Sequence, residues 1–228
     1  MLPHEPIEKL SGRLWRVAGD VPGAPLKRVM TVAKRNDGSL LVHNAIALGD
    51  AEMAELAAWG DVRTLLVPNG YHRLDAAIFR ERFAGAKLYC PEGARARVAE
   101  VVTVDGSYAD VPADGAVELQ TLDGTRQREG VMIVRDGGDT SLVLNDIVFN
   151  MPHVRGFKGL ILRMFGSSGG AKITFIARRL VVADKPAVRA HLERLAALPG
   201  LRRIVVSHHE TIAGEPGRVL AELAATLG

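Results

Sequence analysis

The order in which strand-like and helix-like segments follow one another constrains this chain more than any other feature. Residues 14–18 and 27–34 have strand character, Asn36-Asp-Gly38 is a turn signal, and residues 40–46 read as the returning strand. Asp-Gly between apolar runs predicts a β-hairpin. The rhythm then changes. Asp50 is placed to cap a helix through residue 58, with Met53, Leu56 and Ala57 on one face and Gly60 as its stop. Short strands over 62–67 and 86–90 are separated by a helix over 74–83, and residues 93–101 begin as a helix. The second half repeats this order. Strands are expected over 117–121, 130–135 and 141–149. Asp184 caps a helix carrying Pro186 in its first turn and Val188, Leu192, Leu195 and Leu198 on one face. A strand over 203–206 and a helix over 216–227 follow. Antiparallel strands thus lead each half and helix-flanked strands follow. That order predicts an α+β fold, a four-layer αβ/βα sandwich, because a doubly wound sheet would alternate throughout. The strands at 62–67 and 203–206 are expected to be buried and central.

At 228 residues and 47% apolar content, the chain is long enough for one domain spanning residues 1–228. The formal net charge is +3, and basic residues fall in scattered pairs such as Arg178/Arg179 and Arg202/Arg203. Without a clustered basic footprint, binding to nucleic acid is not expected. No run approaches the roughly 18 apolar residues of a membrane helix, and the first ten residues hold no signal-type apolar stretch. Cys90, the single cysteine, excludes an internal disulfide and reads as a small core residue. A cytoplasmic protein is the expectation. Its ligand would be a small molecule of unidentified class, and the oligomeric state is left open.

Three loops with ligand-type residues follow short apolar strands: Pro68-Asn-Gly-Tyr-His-Arg-Leu-Asp75, Leu144-Asn-Asp146 and Val206-Ser-His-His-Glu210. Strand ends of this kind project side chains into clefts. The candidate metal ligands are His72, Asp75, Asp146 and His208, with His43 and His209 in reserve. His43 also reads as a satisfied core histidine, and His4, His153 and His191 as surface residues. Gly166-Ser-Ser-Gly-Gly-Ala-Lys-Ile-Thr174 lacks the glycine and hydroxyl that a phosphate loop needs around its lysine, and is expected to be a surface loop.

The order of the three loops resembles the metallo-β-lactamase superfamily. Leu142-Val-Leu-Asn-Asp-Ile-Val-Phe149 resembles the strand that carries its Gly-Asp pair, with Asn145 in place of Gly. Ile204-Val-Val-Ser-His-His209 resembles its last ligand strand, with Ser207 in place of Gly and His208 as the matching histidine. A closer resemblance is to the uncharacterised branch called domain of unknown function 4336. It rests on Leu41-Val-His-Asn-Ala-Ile-Ala-Leu48, on Trp59-Gly-Asp-Val-Arg-Thr-Leu-Leu-Val-Pro-Asn-Gly-Tyr-His72 and on Ala84-Gly-Ala-Lys-Leu-Tyr-Cys-Pro-Glu-Gly93. The His-x-His-x-Asp-His loop of the superfamily is not restored here in any register. Its middle histidine is also missing, with Asp123 the nearest substitute.

The resemblance implies a hydrolase acting on an ester, thioester or lactone through a metal-activated water, with Asp75 or Asp146 orienting or deprotonating that water. The ligand count allows one Zn, Fe or Mn ion at most, or none. The competing expectation is a non-catalytic, metal-free binding protein that keeps the fold.

Overall fold

A hairpin seeds the first sheet. In the computed structural model, which describes residues 2–24, 26–153 and 168–228, β1 (Glu8–Lys9), β2 (Leu14–Asp20), β3 (Lys27–Lys34) and β4 (Leu40–His43) pair antiparallel in sequence order. From β4 the pairing becomes parallel, through β5 (Val62–Leu66) and β6 (Lys87–Cys90) to β7 (Gly106–Ser107). The switch falls where α1 (Asp50–Trp59) first intervenes, because hairpin neighbours need only a turn whereas parallel neighbours need a crossover. Helices α2 (Ala76–Arg82) and α3 (Arg95–Val98) supply further crossovers. Residues 28–33 of β3 are all buried, which is why its sequence reads as nearly continuous rather than alternating: both faces of this sheet are covered.

The second sheet repeats the plan. Strands β8 (Val117–Thr121), β9 (Gly130–Asp136) and β10 (Asp139–Leu144) form an antiparallel meander. A small two-stranded sheet, β11 (Phe149–Met151) with β12 (Gly170–Lys172), leads into helices α4 (Phe175–Leu180) and α5 (Lys185–Ala196). Then β13 (Leu201–Val206) joins parallel to β10, and α6 (Pro216–Ala225) packs beside it. Asp184 caps α5 as expected, its side chain accepting from the Ala187 amide at 3.1 Å.

The two sheets face each other across a core that joins Leu14, Val29, Leu41 and Leu66 to Met132, Val143 and Val205. Helices α1 and α2 bury Met53, Leu56 and Phe79 on the outer face of the first sheet, and α5 and α6 bury Val188, Leu192 and Leu220 on that of the second. This is the four-layer αβ/βα sandwich. Among the described residues no helix is long and apolar enough to cross a membrane.

Several expectations need correction. The strand expected over 40–46 stops at His43, because Asn44 turns left-handed (φ 57°) and its side chain donates to the Val29 carbonyl at 2.8 Å. The strand expected over 141–149 is two strands broken at Asn145–Val148. Helix α1 is capped by Gly49, not Asp50, and Ala57 is exposed. β5 is interior as expected, whereas β13 lies at the end of its sheet and pairs in its ladder with β10 alone. The outer edge of β13 is closed by Ile212, which exchanges two 2.8 Å backbone hydrogen bonds with Ile204. The expected surface loop at 166–174 is partly strand over Gly170–Lys172, and Thr174 caps α4; residues 166 and 167 lie outside the described residues. His191 is not a surface residue. It is buried between sheet and helix, contacting Gln120 at 2.9 Å and accepting from the Asp123 amide at 3.0 Å.

Candidate metal centre

Strand register brings the candidate ligands together. β10 and β13 run parallel with Val143 opposite Val205 and Leu144 opposite Val206. Asp146 and His208 each lie two residues beyond that last matched pair, so they emerge side by side. His72 arrives from the first sheet, on the loop that follows β5. The ring centroids of His72 and His208 are 4.9 Å apart. Asp146 Oδ1 lies 2.8 Å from His72 Nε2 and 3.1 Å from His208 Nε2. One ligand atom from each of the three residues lies within 4.8 Å of the others.

Neighbouring groups hold this trio in place. Asn69 donates from Nδ2 to the second oxygen of Asp146 at 2.6 Å, and its Oδ1 accepts from the amides of Tyr71 (2.8 Å) and His72 (3.1 Å), which folds the loop back over the cluster. Phe149 stacks on the His208 ring at 4.6 Å, tilted by 11°. His208 Nδ1 lies 2.9 Å from the Lys27 carbonyl. A carbonyl only accepts, so Nδ1 carries the hydrogen. That leaves Nε2 of a neutral ring with a lone pair aimed at Asp146 Oδ1, itself an acceptor when ionised. Two acceptors at this distance are reconciled by a second proton on the ring or by a cation between them. Burial opposes ionisation of Asp146. The His72 ring first, and then the closeness of His208, outweigh it and hold the carboxyl well below the usual carboxylate range. A deprotonated carboxylate beside two imidazole nitrogens, one oriented by a backbone carbonyl, is a donor set that fits one divalent ion with an open coordination position.

Asp75 is not part of the cluster, and the expectation of Asp75 as ligand or base is corrected. Its Oδ2 accepts from Arg28 Nη2 at 2.5 Å and from the Ala47 amide at 2.8 Å, and both side chains are buried. Among the described residues the cluster of potential ligands holds His72, Asp146 and His208 without Asp75. Asp123, the substitute for the middle histidine, is half exposed on the outer side of the second sheet, paired with Arg194 at 2.6 Å. Neither reserve histidine joins the trio. His209 turns away on a left-handed residue (φ 66°) and its Nε2 lies 3.5 Å from the Lys27 amide. His43 is buried in the inter-sheet core, but it is not satisfied: both ring nitrogens lack a hydrogen-bond partner among the described residues. Burial first, and then the nearby His72 ring, push its pKa down to about 3, so it sits there neutral.

Sequence reasoning missed Glu129. It is 1% exposed and shares the Asn69 side-chain amide with Asp146. Its Oε2 accepts from Asn69 Nδ2 at 3.1 Å and its Oε1 from the Ile147 amide at 3.0 Å. Burial, reinforced by the charge of Asp146, pushes its carboxyl up to about 8. The one cue in the sequence was a lone acidic residue immediately before an apolar strand.

No family model and no curated protein sequence matches the chain. Solved structures do. A DIM-1 metallo-β-lactamase exposed to ceftazidime aligns with a TM-score of 0.64 at 13% identity, covering 100% of both chains. The metallo-β-lactamase of Hirschia baltica aligns at 0.61 with 13% identity, over 96% of this chain and 98% of that one. The enzyme from Pontibacter korlensis aligns at 0.63 with 14% identity, over 98% and 99%. At such identities the likeness speaks of architecture, and the architecture is unambiguous over the full length: this chain has the metallo-β-lactamase fold.

Proposed function

We propose that the protein is a metal-dependent hydrolase with a single-ion site formed by His72, Asp146 and His208, acting on an ester, thioester or lactone. The observation that carries the reading is the convergence of His72, Asp146 and His208, one ligand atom of each within 4.8 Å of the others, with His208 Nδ1 held by the Lys27 carbonyl so that Nε2 faces the cluster. A Zn, Fe or Mn ion held there would supply an acidified water and polarise a carbonyl near neutral pH. In the reaction, water oxygen bonds to the acyl carbon, the bond to the alkoxide or thiolate breaks, and a proton from that water ends on the leaving group. Asp146 is the carboxylate placed to orient that water beside the ion. Asn69 keeps Asp146 oriented, and Phe149 shields one face of His208 from water.

Within the superfamily, the ordered segments around Asn69–His72 and Ala84–Gly93 favour the branch called domain of unknown function 4336. The buried, unpaired thiol of Cys90 suits a reducing, cytoplasmic setting. Scattered basic residues speak for a small-molecule partner rather than nucleic acid.

A specific observation also favours the metal-free binding protein. The trio closes on itself, with both histidines at hydrogen-bonding distance from one carboxylate oxygen. Elemental analysis of protein purified without chelator or histidine tag, repeated on His208→Ala, separates the two. One equivalent of metal, lost in the variant, supports the hydrolase. No metal under any loading condition overturns it in favour of the binding protein, and two equivalents overturn the single-ion count.

A further inference from the structure

We propose that the cavity beside His208 receives the apolar half of the substrate, a straight-chain or aromatic acyl group of about ten non-hydrogen atoms. This rests on the hydrolase reading and specifies its substrate class. The cavity has a volume of about 310 Å³ and opens directly onto Asp146 and His208. At roughly 30 Å³ per non-hydrogen atom, the share of a water molecule in the liquid, it holds on the order of ten atoms. Its walls come from three places: Leu26 ahead of β3, Phe149 and Met151 on β11, and Ile176, Leu180 and Val181 on and just after α4.

Two features of these walls point to an apolar occupant. Among the described residues lining the cavity, Asp146 and His208 of the cluster and the Tyr71 phenol are the only ionisable groups. A carboxylate, phosphate or ammonium seated deep in it would lose its water without gaining a counter-charge. Large apolar side chains are also left in solvent at its rim. Tyr71, Ile176 and Leu180 are 58%, 56% and 59% exposed, and they belong to the small set of large apolar residues that the described surface exposes. Apolar surface gathered around a concave site marks a ligand face. Phe149 serves both parts, since one face of its ring stacks on the ligand histidine while the side chain lines the cavity. An acyl chain lying against it would place its carbonyl end at the cluster.

Binding of a series of straight-chain alkanols, from about four to about ten carbons, measured calorimetrically on the whole protein, tests this without any catalytic step. Each added methylene is expected to strengthen binding by about fourfold until the cavity is full. His208→Ala is expected to keep that slope, because the slope needs no metal. The double variant Ile176→Glu/Leu180→Glu changes only exposed side chains and is expected to flatten it. Equal affinity across the wild-type series overturns the proposal. Turnover of p-nitrophenyl esters of matching chain length by metal-loaded protein separates the two readings. A slope in binding with no turnover upholds the cavity and overturns the hydrolase; turnover indifferent to chain length upholds the hydrolase and overturns the cavity.

Discussion

Replacing Asp75 with alanine distinguishes a structural carboxylate from a metal ligand. Asp75 Oδ2 meets Arg28 Nη2 at 2.5 Å, and the two side chains are only 9% and 5% exposed. Removing one partner strands a guanidinium in a place where, among the described residues, its Nε already lacks a partner and its Nη1 reaches only the Ala45 carbonyl at 3.3 Å. Breaking a buried pair of this kind costs about 3–5 kcal/mol, whereas replacing both partners with well-packed apolar residues is often close to neutral. A domain with about 5–15 kcal/mol of stability would lose a large share of it. In equilibrium urea unfolding the midpoint of Asp75→Ala should fall by roughly 1–2.5 M, for a slope of about 2–3 kcal/mol per molar urea. Arg28→Met/Asp75→Leu should recover most of that loss, giving a coupling well outside additivity. Metal content per folded molecule should stay at the wild-type value in both. An Asp75→Ala protein that keeps its urea midpoint within the scatter but loses its metal would refute the reasoning and return Asp75 to the ligand set.

Glu129 makes stability depend on pH in a direction unusual for a carboxylate. Its folded pKa of about 8 lies above the ordinary value of 4.5, so between these values the folded state keeps a proton that the unfolded chain has released. His43 and His209, whose folded pKa values are pushed down to about 3 and about 4, act in the opposite sense up to their ordinary value of 6.5. Stability of the metal-free protein should therefore decline as pH rises from about 6.5 to about 8, and Glu129→Gln should flatten that decline; a wild-type profile that rises between those two values contradicts the assignment. Gly130→Ala would drive its new methyl into the Tyr108 ring, which is 2% exposed and has no room to withdraw. A loss of about 1–3 kcal/mol is expected in thermal or urea unfolding, and an unchanged midpoint would mean that Tyr108 moves freely. Burial pushes the Cys90 thiol up to about 11. Native protein should resist a thiol-reactive dye at neutral pH and react promptly once unfolded, and rapid labelling of the native state would be inconsistent with the core.

The parts of this molecule that local pattern encodes were legible in its sequence. Asn36-Asp-Gly38 announced the hairpin of β3 and β4, and Asp184 with Pro186 announced α5, because turn and cap chemistry act within a few residues. His72, Asp146 and His208 stood out because each follows an apolar strand, and strand ends gather where a sheet meets its cleft. What stayed hidden depends on partners far along the chain. Asp75 looked available until Arg28, 47 residues away, was seen to hold it. Glu129 drew no attention because nothing nearby in the sequence reveals that Asn69 and Ile147 close over it. β13 is apolar enough to pass for a central strand, yet its position in the sheet follows from hydrogen-bond order, which hydrophobic periodicity does not record.

The parallel register of β10 and β13 also sets when the cluster can come into being. Asp146 contacts His72 across 74 residues of chain and His208 across 62, so every contact within it closes a long loop. Contacts of such sequence separation form late, since their loop entropy is lost before any interaction rewards it. Until residues 201–206 dock, β10 presents its buried run Thr140–Leu144 as an unpaired edge of apolar backbone, the kind of surface on which neighbouring chains add strands. A nascent chain that has reached residue 200 therefore carries an aggregation hazard at the very strand that will later hold Asp146. Delivery of His208 to the cluster and the capping of that edge are one event.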